Sequence, residues 1–209
     1  MALKQKTRWV DEEGFEFIFR PTEDSIKIKK TKAGYEAFYI TPDECPERPD
    51  SWGDNNLFLV HYHRDCWIVN DDVIKEDDVK NWYRQEFDNY DGGVFPCAEK
   101  YWIYAVSAYI HSGVRLSLNK TFFYDAQGWD TSHVGAVLVA KEEWPDEEKA
   151  KEAAEGMVEE WNQYLSGDVW CIVREKYDKK KNQLDYDVIG GFYGEKYALE
   201  ALMDGSYFE

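Results

Sequence analysis

The sequence predicts an α+β fold: a mainly antiparallel sheet packed by one long amphipathic helix and by short helices. Residues 134–140 (VGAVLVA) form a nearly continuous apolar run, which is typical of a strand covered on both faces. Further along, apolar residues recur at helical spacing from Ala150 to Leu165 and predict one buried helix face. Elsewhere, alternating segments joined by short turns predict antiparallel hairpins.

The long helix has clear signals at both ends. Pro145 suits a first helical turn, and the acidic residues 146–148 place negative charge where the helix dipole favours it. Ser166 and Gly167 predict the end of the helix. The polar side carries a column of carboxylates about one turn apart: Glu148, Glu152, Glu155 and Glu159.

The remaining segments predict mostly strands. Residues 25–30 and 35–40 flank a glycine turn and predict one hairpin, and residues 168–175 and 185–189 flank a lysine-rich turn and predict another.

Four other elements complete the predicted fold. They are a strand at 57–69, a strand at 102–111 that continues into 114–118, a tight turn at 190–194 and a short helix at 197–203. A helix is the alternative for 102–111, because the period of that segment is ambiguous.

A loop at 41–56, rich in proline, aspartate and asparagine, predicts a boundary in the chain. The sequence therefore predicts an N-terminal hairpin lobe over 1–56 and a main α+β domain over 57–209.

The charge of the chain limits its partners. Lys and Arg number 25 against 42 Asp and Glu, which gives a net charge of −17 and a pI near 4.6. Direct binding of nucleic acid is not expected, because phosphate contacts need Lys and Arg, and anionic membranes are disfavoured for the same reason. Strong negative charge favours basic partners.

Neither a signal peptide nor a membrane span is predicted, and we expect the protein in the cytoplasm, with no cofactor. The four cysteines lack CxxC spacing and are expected to be free, buried thiols: Cys45, Cys66, Cys97 and Cys171.

Two arrangements could carry chemistry. His61 and His63 share one side of a predicted strand with Asp65, and two imidazoles with a carboxylate can bind zinc. Strand alternation also produces this pattern by chance, and further ligands such as His111 or His133 are not fixed by any motif. A cysteine paired with a histidine could act as a nucleophile, but no cysteine-hydrolase signature is present.

Three motifs resemble a widespread family of small proteins encoded by phages and mobile elements. They are WDTSHVG at 129–135, YLSGDVW at 164–170 and GFYG at 191–194. The resemblance covers about residues 57–194 and implies a phage setting. It brings no catalytic residues with it. Small acidic phage proteins are often anti-CRISPR or anti-restriction inhibitors of host defence nucleases, and some of them mimic DNA.

The leading hypothesis is therefore an acidic phage-encoded inhibitor of a host defence nuclease, which blocks a basic nucleic-acid-binding groove of a host protein or nucleoprotein complex. The residues expected to carry binding are the four column glutamates, followed by a second acidic segment: Asp71, Asp72, Glu76, Asp77 and Asp78. One alternative is a metal-dependent hydrolase that uses His61, His63 and Asp65. Another is a phage adaptor that binds a host protein through exposed aromatic residues.

Overall fold

A computed structural model describes most of the chain. The described residues are 7–10, 16–19, 25–52, 57–63, 66–68, 99–118, 122–125, 127–180 and 182–208. The chain divides into two compact units: unit 1 comprises residues 1–47 and 167–209, and unit 2 comprises residues 48–166. The predicted division at residues 56 and 57 stays a prediction.

The described strands are β1 (Thr7–Val10), β2 (Glu16–Phe19), β3 (Ser25–Lys30), β4 (Gly34–Pro42), β5 (Leu57–His63), β6 (Cys66–Ile68), β7 (Tyr101–Ile110), β8 (Val114–Ser117), β9 (Thr131–Ala140), β10 (Val169–Asp178) and β11 (Gln183–Tyr193). The described α-helices are α1 (Glu147–Ser166) and α2 (Glu195–Asp204), and short 3-10 helices lie at Pro49–Trp52 and Ser206–Phe208.

Unit 1 is built from both ends of the sequence. Its six strands form an antiparallel sheet in the order β1-β2-β3-β4-β10-β11, so the predicted hairpins β3–β4 and β10–β11 are both confirmed. Helix α2 covers one face of this sheet, and the buried core between them contains Ile40, Ile172, Phe192, Ala198 and Leu202.

Unit 2 contains the predicted central strand and the long helix. Its five strands form an antiparallel sheet in the order β6-β5-β9-β7-β8. All seven residues from Val134 to Ala140 are buried in β9. The core under α1 includes Val137, Val139, Ala154, Val158 and Trp161. The predicted α+β class, with antiparallel sheet and amphipathic helix, is therefore confirmed.

Helix α1 begins and ends where the sequence signals predict. The carboxylate of Asp146 caps the first turn by accepting hydrogen bonds from the backbone N–H groups of Glu148 and Lys149, at 3.0 and 3.1 Å. Gly167 follows the last turn with a φ of 75°, a conformation that favours glycine.

Three predicted elements differ in the structure. The strand at 57–69 is two antiparallel strands, with His61 opposite Ile68. Residues 114–118 do not continue β7; β8 turns back and pairs with it. The predicted tight turn at 190–194 is wrong, because β11 runs through to Tyr193 and stays paired with β10 across a register shift.

Over the described residues, no helix is both long enough and apolar enough to cross a membrane.

Candidate interaction surface

The described part of unit 2 carries a dense acidic surface on and before α1. Nine carboxylates lie in residues 142–160 against two lysines, Lys149 and Lys151, and all nine are exposed. We call these nine residues the acidic helix surface: Glu142, Glu143, Asp146, Glu147, Glu148, Glu152, Glu155, Glu159 and Glu160. This surface contains the whole predicted glutamate column.

Among the described residues, cations lie near two of the four column glutamates. Lys151 Nζ is 3.9 Å from Glu155 Oε1, and Arg115 Nη2 is 3.9 Å from Glu159 Oε2. All four of these side chains are more than half exposed, so each pair contributes at most about 1 kcal/mol and is screened by salt. The pairs reduce the local negative charge of the column but leave its carboxylates accessible.

An open groove of about 500 Å³ lies between α1 and two short segments, residues 115–118 and 122–124. Its buried lining residues include Leu116, Phe122 and Val158, which give it an apolar base. Its exposed lining residues are Arg115, Phe123, Tyr124, Lys151, Glu155 and Glu159. We call this feature the α1 groove. Half of the glutamate column and two exposed aromatic rings therefore line the same groove.

Asn162 fixes the position of α1 along one side of this groove. Its side-chain Nδ2 donates to the Leu116 carbonyl at 3.0 Å, and the Leu116 N–H donates to Asn162 Oδ1 at 2.7 Å. Among the described strands, β8 lies at the edge of the sheet, and Leu116 has backbone groups that point away from β7. The buried Asn162 amide satisfies them as a neighbouring strand would.

The loop between β8 and β9 presents large aromatic side chains to solvent. Phe123 is 93% exposed and Trp129 is 83% exposed. Phe123 packs edge-on against Tyr124 at a ring-centroid distance of 4.8 Å, and Tyr124 packs edge-on against Tyr109 of β7 at the same distance. The exposed Phe123 ring therefore packs on an aromatic cluster that includes Tyr124 and Tyr109.

Asp125 organises the same loop. Its carboxylate accepts hydrogen bonds from the N–H groups of Trp129 and Asp130, both at 3.0 Å, and from the Thr131 hydroxyl at 2.6 Å. The Thr131 hydroxyl bond and the neighbouring backbone N–H groups hold the pKa of Asp125 below its usual value, against the opposite effect of burial. An ionised Asp125 thus joins its own segment to residues 129–131, where β9 begins.

The residues of the second acidic segment, from Asp71 to Asp78, lie outside the described residues, and so does Asp65. For His61 and His63 the structure describes only the backbone. Within the part of the chain whose side chains are described, no group of three possible metal-binding residues comes together. The metal-dependent hydrolase stays a prediction.

The other two histidines contact different groups. His111 Nδ1 lies 3.3 Å from Asp130 Oδ2, and His133 Nδ1 lies 3.0 Å from the hydroxyl of the buried Ser107. Each contact joins neighbouring segments of the sheet, and we assign both a structural role.

Cys171 has the properties of a structural thiol. It is buried, and burial together with the nearby Asp43 carboxylate raises its pKa to about 11. A thiol with this pKa is protonated at neutral pH, which argues against Cys171 as a nucleophile. Cys45 is a free thiol but is exposed, so the predicted burial is wrong for this cysteine.

Comparisons of the chain with protein-family models, with curated proteins and with solved structures find no match. The acidic helix surface, the α1 groove and the exposed aromatic residues Phe123 and Trp129 are therefore the features that bear on function.

Proposed function

We propose that this protein is a non-enzymatic inhibitor that occupies the basic nucleic-acid-binding groove of a host defence nuclease. The observation that carries the proposal is the acidic helix surface, in which nine exposed carboxylates stand in one short stretch beside two lysines. A positively charged groove is the natural complement of such a surface.

The spacing of the charges supports competition with DNA. Residues 147–160 of α1 extend over about 21 Å of helix axis. Six carboxylates lie in that stretch, an average of about one per 3.5 Å of axis when all sides of the helix are counted, against 3.4 Å of axis per phosphate along one DNA strand. Lys149 and Lys151 reduce the net charge of the stretch to −4, so the resemblance to a phosphate strand is partial.

The rigidity of α1 supports the same proposal. The helix is capped by Asp146 and anchored by buried residues, so the backbone positions of its charged residues are set before a partner arrives. Binding then needs little ordering of the inhibitor, which favours affinity.

The test is a plasmid-cleavage assay with a panel of purified restriction and CRISPR effector nucleases, with and without the protein. Its key variant replaces all four column glutamates: Glu148→Gln, Glu152→Gln, Glu155→Gln and Glu159→Gln. A matched control makes the same change in net charge on exposed residues of unit 1: Glu44→Gln, Glu47→Gln, Glu195→Gln and Glu200→Gln.

We expect the native protein to inhibit at least one nuclease of the panel. The column variant should inhibit that nuclease at least about 10-fold more weakly, and the unit 1 control should stay within about 3-fold of the native protein. Inhibition should also weaken as salt rises, because the charges are exposed. Failure to inhibit any nuclease, or equal effects of the two variants, would refute the proposal.

The exposed rings of Phe123 and Trp129 favour a second candidate function, that of an adaptor which binds a host protein mainly through aromatic contacts. Exposed aromatic clusters commonly mark protein-binding surfaces. The adaptor hypothesis predicts binding that changes little between low and high salt. A pull-down from host lysate at two salt concentrations separates it from the charge-based inhibitor.

A further inference from the structure

We propose that the α1 groove receives an arginine side chain from the partner's basic surface. This inference rests on the proposed function and names the group that the acidic side of unit 2 recognises. The groove has three parts that an arginine needs: an apolar base, an exposed aromatic ring and two carboxylates.

The apolar base suits the aliphatic part of the side chain. Leu116, Phe122 and Val158 are all buried and line the groove. Long cationic side chains place their methylene groups along such surfaces and keep the charged end near water. The groove is open, and its volume of about 500 Å³ admits a long side chain together with adjoining backbone.

The charged end of the side chain would lie at the exposed part of the groove. Phe123 is 93% exposed there, and Tyr124 supports it from one side. A guanidinium group stacks on aromatic faces and pairs with carboxylates through a planar fork of donors. Glu155 and Glu159 line the same groove and supply those carboxylates. A lysine ammonium lacks the planar fork and should bind more weakly.

The protein's own cations partly occupy this site. Lys151 and Arg115 stand 3.9 Å from Glu155 and Glu159, a distance longer than a strong charge-assisted hydrogen bond. A partner arginine that approaches closer would displace these exposed contacts at small cost. Removal of the Lys151 charge should therefore strengthen binding of an arginine. Removal of the same charge would not help an apolar side chain.

The experiment uses two fluorescein-labelled probes of equal length and charge, a Gly-Arg repeat peptide and a Gly-Lys repeat peptide. Fluorescence anisotropy at physiological salt measures their affinity for the full chain. The native protein should bind the arginine peptide at least about 5-fold more tightly than the lysine peptide. Phe123→Ala should remove that preference.

Two double variants with the same change in charge locate the site on α1. Glu155→Gln with Glu159→Gln should weaken binding of the arginine peptide about 10-fold, because both residues line the groove. Glu148→Gln with Glu152→Gln should weaken it less than about 3-fold, because neither residue lines it. Lys151→Gln should strengthen binding about 2-fold or more. Circular dichroism and the thermal midpoint verify that each variant is folded.

The outcomes separate this inference from the proposed function. Equal weakening by the two double variants, or equal affinity for the two peptides, would overturn the arginine site even if the protein inhibits a nuclease through its general charge. Selective arginine binding that depends on Phe123 and on Glu155 and Glu159 would support the site. It would do so even if no nuclease of the panel is inhibited.

Discussion

Replacement of Asn162 by alanine should weaken the attachment of α1 to the edge of the unit 2 sheet. The Asn162 amide is 7% exposed and bonds both backbone groups of Leu116. The alanine variant removes the protein partner of the Leu116 N–H and of the Leu116 C=O. Each such group costs about 1–3 kcal/mol.

The expected loss in the free energy of unfolding lies in the lower part of the range that the two backbone groups give together. Leu116 is on an edge strand and lines an open groove, so water can reach its backbone groups in the variant at least in part. We therefore expect a loss of about 2–4 kcal/mol, a large fraction of the 5–15 kcal/mol typical of a folded protein. The corresponding fall in the thermal midpoint is about 5–15 °C.

Urea and thermal unfolding, followed by circular dichroism, measure this loss. Gln163→Ala is the matched control, because it shortens a neighbouring polar side chain of the same helix that is only partly buried. Asn162→Asp provides a second test, since a carboxylate can accept from the Leu116 N–H but cannot donate to its carbonyl. A loss below about 1 kcal/mol for Asn162→Ala, equal to that of the control, would show that the amide does not anchor α1.

Three further predictions test other parts of the structure. Gly156→Ala should raise the free energy of unfolding by about 0.5–1 kcal/mol, because glycine is a poor helix former and a Cβ at this position meets open space. An unchanged or lower urea midpoint would contradict this prediction. Asp125→Asn should destabilise the protein at neutral pH, and thermal melts should show the difference from the native protein shrinking below about pH 4. The sign follows because the pKa of Asp125 is lowered in the folded protein, so its stabilisation exists above the unfolded pKa and disappears as pH falls through the folded value. A difference that stays constant down to pH 2 would argue against this role. N-ethylmaleimide at pH 7.5 should label Cys45 rapidly in the native protein, and it should label Cys171 only after unfolding. Peptide mapping by mass spectrometry measures the labelling of each cysteine. Rapid labelling of Cys171 in the native protein would disprove its buried, protonated state.

Local patterns in the sequence predicted the elements whose signals are local. The apolar run at 134–140 predicted β9, and the Pro145 and Gly167 signals predicted both ends of α1. The four glutamates of the column are exposed, as expected for the polar side of an amphipathic helix. The prediction of a tight turn at 190–194 was wrong because glycines also occur in bulged strands. Only the pairing with β10 distinguishes a bulged strand from a turn here.

The candidate site depended on contacts between distant residues. The α1 groove and the Asn162 contact require the register of β8 against β7, which no local pattern specifies. The position of Asn162 in the helix does not predict that its amide forms hydrogen bonds with a strand. The sequence does contain a weak signal for a turn between Phe123 and Trp129. Asp125 and Gly128 have the spacing of the first and last residues of a common β-turn.

The composition of unit 1 has a consequence for synthesis on the ribosome. Strand β4 pairs with β10, which follows all of unit 2 in the sequence, so β1 to β4 are made well before that partner strand. Unit 2 is one uninterrupted stretch and can fold as soon as it leaves the exit tunnel, in keeping with the tendency of domains to fold as units. During translation the nascent strands β1 to β4 therefore remain without their β10 partner until unit 2 has been made, and unpaired strand edges of this kind favour aggregation.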